Sequence, residues 1–325
     1  MKIKGILALA LTFILLSATA CGQNGSAEQV NADNNSQEAV DISSIAVNVR
    51  QEVIDIPELE GEHKIFFLAD SHISMCDDRD SELLETAAQR AASFVVDGIQ
   101  AQDRFDAIIA KANETNREMV IFGGDIIDSA MYASIEHVKG QIDTLSSSYL
   151  LTMGNHDFQY GMEYFSPKAY EEYLPRLNEM RDDAPYQVRE YDDIIYFTAD
   201  DNNNQIDQAI LDAFKVEIAK GKPIVLNVHV PIEPVTGDMS LVEKCKEVWG
   251  PSADNKSKVT MGINGCYPSP VTSEFIQLVT AQDSPVVLVL AGHIHFYHKD
   301  MLNDKVVQIV TGAAFEGEAV EITLK

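Results

Sequence analysis

The stretch Met119–Asp128, M-V-I-F-G-G-D-I-I-D, decides how the chain is read. Val120, Ile121 and Phe122 are the β-branched and aromatic run of a buried strand. Gly123 and Gly124 end it and let the backbone turn tightly. Asp125 then stands at the strand's C-terminal end, where open α/β sheets place their ligands. Four other apolar runs end the same way. Lys64–Ala69 leads into Asp70 and His72, and Tyr149–Met153 into Gly154, Asn155, His156 and Asp157. Pro223–Val228 leads into His229, and Pro285–Ala291 into Gly292, His293, Ile294 and His295. Each run delivers carboxylate, amide or imidazole, the donors that divalent first-row metals accept. The expectation is a metal centre with Asp125 between two ions.

Working outward, a helix is expected around Met131–Leu145, between the Asp125 and Asn155 strands. Upstream, apolar residues recur at helical spacing from about Glu82 to Ala112, with a break; Leu83, Leu84, Ala87, Ala91, Phe94 and Val95 read as core packing. Strand, helix, strand, helix, strand is the order of parallel strands with right-handed crossovers, an α/β fold. Val47–Ile56 reads as a first strand, Lys168–Arg181 as a helix, and Tyr186–Arg189 and Ile194–Ala199 as strands. Helices follow at Ile206–Ala219 and Val271–Ala281, and strands at Val306–Val310 and Ala319–Leu324. Pro231–Pro270 is the least regular part. It begins directly after His229, so a long loop there is expected to overhang the site and shape specificity.

The first residues read as an address. Met1–Lys4 is basic, Ile6–Leu16 is apolar but too short to span a membrane comfortably, and Ala18 and Ala20 are small. Residues 1–20 are expected to be a signal peptide. Cys21 after small residues resembles the lipobox of bacterial lipoproteins, although Ala18 stands where that pattern has leucine. Residues 21–45 hold no aromatic residue and read as a disordered tether, leaving 46–325 as one domain. The expectation is an exported protein anchored through a lipidated Cys21 to the outer face of the bacterial cell membrane. The alternative is simple secretion. About 280 residues suffice for one sizeable core. The 24 Lys+Arg against 51 Asp+Glu give a net charge of −27, which disfavours nucleic acid as a partner and a nuclease activity with it. Cys245 and Cys266 flank a loop-like stretch and could pair outside the cytoplasm. No C-x-x-C spacing points to a zinc knuckle.

The blocks Asp70-Ser71-His72, Gly124-Asp125-Ile126-Ile127-Asp128, Gly154-Asn155-His156-Asp157, the lone His229 and Gly292-His293-Ile294-His295 together resemble the calcineurin-like metallophosphoesterase superfamily. They follow the family order and span most of the domain. The resemblance implies a layered sandwich of mixed β-sheets flanked by helices, with the metal site at the C-terminal ends of strands. It implies one cation on Asp70, His72, Asp125 and His295, and a second on Asp125, Asn155, His229 and His293. It places His156 off the metals and facing the substrate's leaving group. Asp128 is expected to accept a hydrogen bond from His156 and fix its ring; the competing role is a helix N-cap. It further implies a phosphate-ester substrate and a metal-bridging hydroxide as nucleophile.

Elementary chemistry agrees with that ligand set. Two cations about 3.5–4 Å apart clamp the attacking and leaving oxygens of an in-line displacement and acidify water. Cations so close repel, and a carboxylate between them offsets this. All donors are O or N, which suits Mn, Fe or Zn. His63, His137 and His298 fall outside the blocks, and His298 is expected to be exposed. Ser129 stands where Ser/Thr phosphoprotein phosphatases carry arginine, and Phe158, Gln159 and Tyr160 bring no basic residue either. The pattern resembles that of the broad group of bacterial phosphomonoesterases and phosphodiesterases. The other function to weigh is a non-catalytic binding platform on the same fold, whose members lose ligands; none is lost here.

Overall fold

The computed structural model describes residues 40–114, 117–158, 167–181, 185–201, 204–254, 259–262 and 268–325. The first half of the domain runs β1 (Asn48–Ile54), β2 (His63–Leu68), α1 (Leu84–Ser93), α2 (Ala101–Asn113), β3 (Met119–Gly123), α3 (Tyr132–Ile142), β4 (Ser148–Thr152) and α4 (Pro167–Leu177). The second half runs β5 (Tyr186–Glu190), β6 (Ile195–Ala199), α5 (Gln208–Ile218), β7 (Ile224–Asn227), α6 (Ser240–Trp249), α7 (Pro270–Thr280), β8 (Val286–Ala291), β9 (His298–Met301), β10 (Val307–Val310) and β11 (Glu318–Leu324). Two mixed sheets result, ordered β1-β11-β2-β3-β4 and β5-β6-β7-β8-β10-β9. In the first, β2, β3 and β4 are parallel, while β11 lies antiparallel to β2. In the second, β6, β7, β8 and β10 are parallel and both edge strands are antiparallel.

Side-chain alternation sorts the strands into layers. Ile65, Phe67 and Ile121 of the first sheet meet Tyr196, Val225 and Leu290 of the second in one buried layer between the sheets. Phe66, Leu68, Val120 and Phe122 point the other way, onto Phe105 and Ile109 of α2 and Ile135 and Val138 of α3. On the far side, Phe197 and Leu226 pack against Phe214 of α5 and Phe275 of α7. Helix, sheet, sheet, helix is therefore the stacking, with parallel strands covered on both faces as they require. Each fully buried Phe or Leu contributes about 1.5–3 kcal/mol by transfer from water. The parallel strands of a sheet point the same way, so β2, β3 and β4 end on one edge, and β7 and β8 end beside them.

Two expectations need correction. Pro231–Pro270 is not a plain loop: it contains α6, followed by a short 3-10 turn at Pro251–Asp254. Its helical signal was faint because only Leu241, Val242 and Cys245 face the core, between flanking proline and glycine. His298 lies in β9, which the sequence did not suggest. It is half-buried rather than exposed, with Nε2 3.1 Å from Ser240 Oγ. Cys245 is a buried free thiol, and Cys266, its expected partner, lies outside the described residues. The expected signal peptide, Cys21 and most of the expected tether also lie outside them. Among the described residues no helix is long and apolar enough to cross a membrane.

Candidate metal centre

The strand ends carry unusual backbone. Asp70 (φ 57°), His72 (48°), Asp125 (51°), His293 (75°) and His295 (58°) are all left-handed. Among the described residues only Asp97 and Asn204 are other non-glycine examples, so the conformation concentrates here. Each such residue costs about 1–2 kcal/mol, a strain characteristic of functional sites. Hydrogen bonds between neighbouring loops hold it: Asp70 N donates to Gly124 O and His72 N to Asp125 O, both at 3.0 Å. Gly154 is required because a Cβ there would sit 2.2 Å from Asp125 Oδ1. Gly124, at φ 86°, lets His229 and Gly154 approach to where a Cβ would be 2.7 Å from each.

The expected ligands converge in two groups. Asp70, His72 and His295 bring donor atoms within 4.8 Å of one another, as do Asp125, His229 and His293. Asp125 lies between the groups. Its Oδ2 is 3.1 Å from His229 Nε2 and 3.8 Å from His72 Nε2, while Oδ1 accepts from His156 N at 2.7 Å. His72 Nε2 and His295 Nε2 stand 3.1 Å apart, and His295 Nε2 is 3.6 Å from Asp70 Oδ1. Asn155 is buried beside this cluster, the residue before His156.

These residues fit divalent cations on their own chemistry. His229 Nδ1 faces the carbonyl of Gly123 at 2.8 Å, which makes Nδ1 the protonated nitrogen and turns the Nε2 lone pair towards Asp125. Nε2 faces the carboxylate at 3.1 Å yet makes no hydrogen bond, an arrangement that a cation held by both would satisfy. Asn155 Oδ1 is likewise buried with no hydrogen-bond partner among the described residues. Protein interiors satisfy such groups or pair them with a cation. Burial and the Asp125 charge push Asp70 up to about 8, while Asp125 is held well below its usual range despite burial, chiefly by His229. Burial lowers His229, but Asp125, Asp70 and Asp201 outweigh it and raise the ring to about 10. Without a cation, a proton takes the cation's part between buried carboxylates and imidazole.

Asp128 does not cap α3, whose N-cap is Met131. Its Oδ1 lies 2.8 Å from His156 Nδ1 and 3.2 Å from His72 Nδ1. Burial opposes its ionisation, yet Arg90, His156 and His72 keep the carboxyl well below its ordinary value. His156, raised by Asp125 and Asp128 against burial, keeps part of its side chain exposed, while burial and then the neighbouring His156 lower His72 against the opposing pull of the Asp128 and Asp125 carboxylates.

Several supporting residues carried no sequence signal of their role. Asp157, inside a recognised block but given no task, accepts from Asp125 N, Ile127 N and Gly154 N at 2.6–2.9 Å, tying the β3 and β4 loops together. Burial and Asp125 push it up to about 7. Asp201 does the same for the β7 end, accepting from His229 N and Val230 N at 2.8 Å. Phe94, after α1, stacks on His72 with centroids 4.3 Å apart and planes 8° from parallel. Trp249, at the end of α6, meets His295 edge-on at 6.3 Å, so the Pro231–Pro270 segment does reach the centre. Asp200-Asp201 reads in the sequence only as the polar turn after β6, and nothing marked Arg90 or Phe94.

Among solved structures the chain is similar to a dimetal phosphatase from Danio rerio, at 12% identity over 78% of this chain and 88% of that one, TM-score 0.47. It is similar also to a purple acid phosphatase from yellow lupin seeds (11% identity, 81% and 46% covered, TM-score 0.47), of which it spans about half the length. A calcineurin-like phosphoesterase from Bacillus subtilis matches at 14% identity, over 78% and 82%, TM-score 0.41. No curated protein matches. The model of the calcineurin-like phosphoesterase family matches residues 63–297, most of the domain and all five blocks, and the chain belongs to that family.

Proposed function

We propose that the chain hydrolyses phosphate esters at a dinuclear centre, with one cation on Asp70, His72, Asp125 and His295 and another on Asp125, Asn155, His229 and His293. The observation that carries this reading is Asp125 Oδ2, which faces an imidazole nitrogen of each ligand group, 3.1 Å from His229 and 3.8 Å from His72. When bound, two divalent cations supply Lewis acidity to the phosphoryl oxygens and acidify a water. The chain's own part is placement and proton transfer. Asp128 holds His156 by Nδ1, which leaves Nε2 to give a proton to the leaving oxygen. Asp157 and Asp201 fix the loops that present Asp125, Asn155 and His229. Ser129 offers no guanidinium to a phosphoprotein, which favours small phosphomonoesters or phosphodiesters. The test is turnover of p-nitrophenyl phosphate and its bis ester with added Mn²⁺, Fe²⁺ or Zn²⁺. Hydrolysis of either is expected; no turnover with any metal would leave the binding-platform reading.

A further inference from the structure

Arg90 lies on α1, away from every motif block, yet its side chain reaches the centre. Nε donates to Asp128 Oδ2 at 2.5 Å and Nη2 to Oδ1 at 2.8 Å. The carboxylate is fully buried, and the arginine side chain is 19% exposed. Such a two-pronged, charge-assisted contact fixes the carboxylate's plane as well as its position. The plane matters because Oδ1 serves two imidazoles, His72 Nδ1 at 3.2 Å and His156 Nδ1 at 2.8 Å. His72, Asp128 and His156 also bring donor atoms within 4.8 Å of one another, so a carboxylate left to rotate could take a cation itself. Phe94, one turn further on, lies under the same guanidinium at 4.9 Å and stacks on His72. Arg90 thus grips a metal-facing ring from two sides, through Asp128 and through Phe94.

Resting on the phosphoesterase reading above, we propose that Arg90 is a positioning residue. It clamps Asp128 so that this carboxylate aims His72 at one cation and His156 at the leaving group, and does not bind a cation itself. Ser74, Thr86, Ala87 and Met131 line a small cavity against Arg90 and Asp128, into which a free guanidinium ion could enter once the side chain is cut back.

The experiment compares the full chain with Arg90→Met, Arg90→Lys and Arg90→Ala, reading p-nitrophenyl phosphate kinetics with Mn²⁺ and Mn²⁺ affinity by calorimetry. Arg90→Met is expected to lower kcat about 10–100-fold and weaken one Mn²⁺ site by a similar factor, with KM nearly unchanged. Lysine, a point charge without the fork, should recover only part of the loss. Guanidinium ion, far below denaturing concentration, should raise the kcat of Arg90→Ala. A rise in KM at wild-type kcat and metal affinity would mean that Arg90 touches substrate, and would overturn the proposal; so would no change in any parameter. Should Arg90→Met not fold, Arg90→Lys decides, and wild-type kcat and affinity there overturn it. If the wild type turns over no substrate, the hydrolase reading falls separately. The Mn²⁺ titration then still decides for Arg90, by a weakened or an unchanged site.

Discussion

Asp125 offers its two oxygens to different tasks. Oδ1 accepts a backbone amide and Oδ2 faces both imidazole groups. Asp125→Ala should therefore lose both cations, with kcat/KM down about 10³-fold or more; metal analysis of the purified variant checks the first half. His156→Ala should retain both cations and lose about 10²–10⁴-fold in kcat, since its ring is held by Asp128 rather than by the ligand groups. Loss of metal there would reassign His156 as a ligand. Strain gives a prediction of a different kind. His295 is left-handed at φ 58°, so in metal-free protein His295→Gly should be more stable than His295→Ala by about 1–2 kcal/mol. Urea unfolding in a chelator measures the difference. The residues of this cluster were legible in the sequence because each follows an apolar run. Their left-handed backbone was not, because nothing local in Asp or His demands it; the packing of one loop on another does.

At the scale of elements, the loops after β3 and β4 are one unit joined by Asp157. Replacing it with alanine strands three buried amides, and a loss of about 3 kcal/mol or more is expected. It should appear in unfolding experiments without metal, which separates it from ligand loss. The strands and most helices were legible because their apolar periods are strong, as in Val286–Ala291, buried along its whole length. The helix α6 was missed because its buried face is three residues wide, and β9 because H-K-D-M has no apolar run at all. β9 exists only because β10 offers an edge. Arg90 and Phe94 were illegible for a related reason. Their roles depend on how α1 lies across the sheet, a tertiary fact that no spacing encodes.

For the whole molecule, the two sheets are also tied far from the site. His63, at the start of β2, has Nδ1 2.8 Å from Glu118 Oε2 and Nε2 3.0 Å from Asp193 Oδ1, which lies in the β5–β6 turn of the other sheet. Burial lowers the ring's pKa, but Asp193 and Glu118 outweigh it and the net shift is upward. A raised folded pKa contributes stability that is complete below the unfolded value of about 6.5 and fades as pH rises through the folded one. The gap in unfolding free energy between wild type and His63→Gln should therefore be widest at acid pH and narrow on the alkaline side. A gap that widens with pH would contradict it. The central claim concerns the other edge of the sandwich, where strands from both sheets end around one aspartate. A crystal structure of Mn²⁺-loaded protein, with anomalous scattering to place the ions, tests it most directly. The account predicts two peaks about 3.5–4 Å apart, with Asp125 touching both, and Asp70, His72 and His295 on one side and Asn155, His229 and His293 on the other. A single ion, or a pair that Asp125 does not bridge, would contradict it.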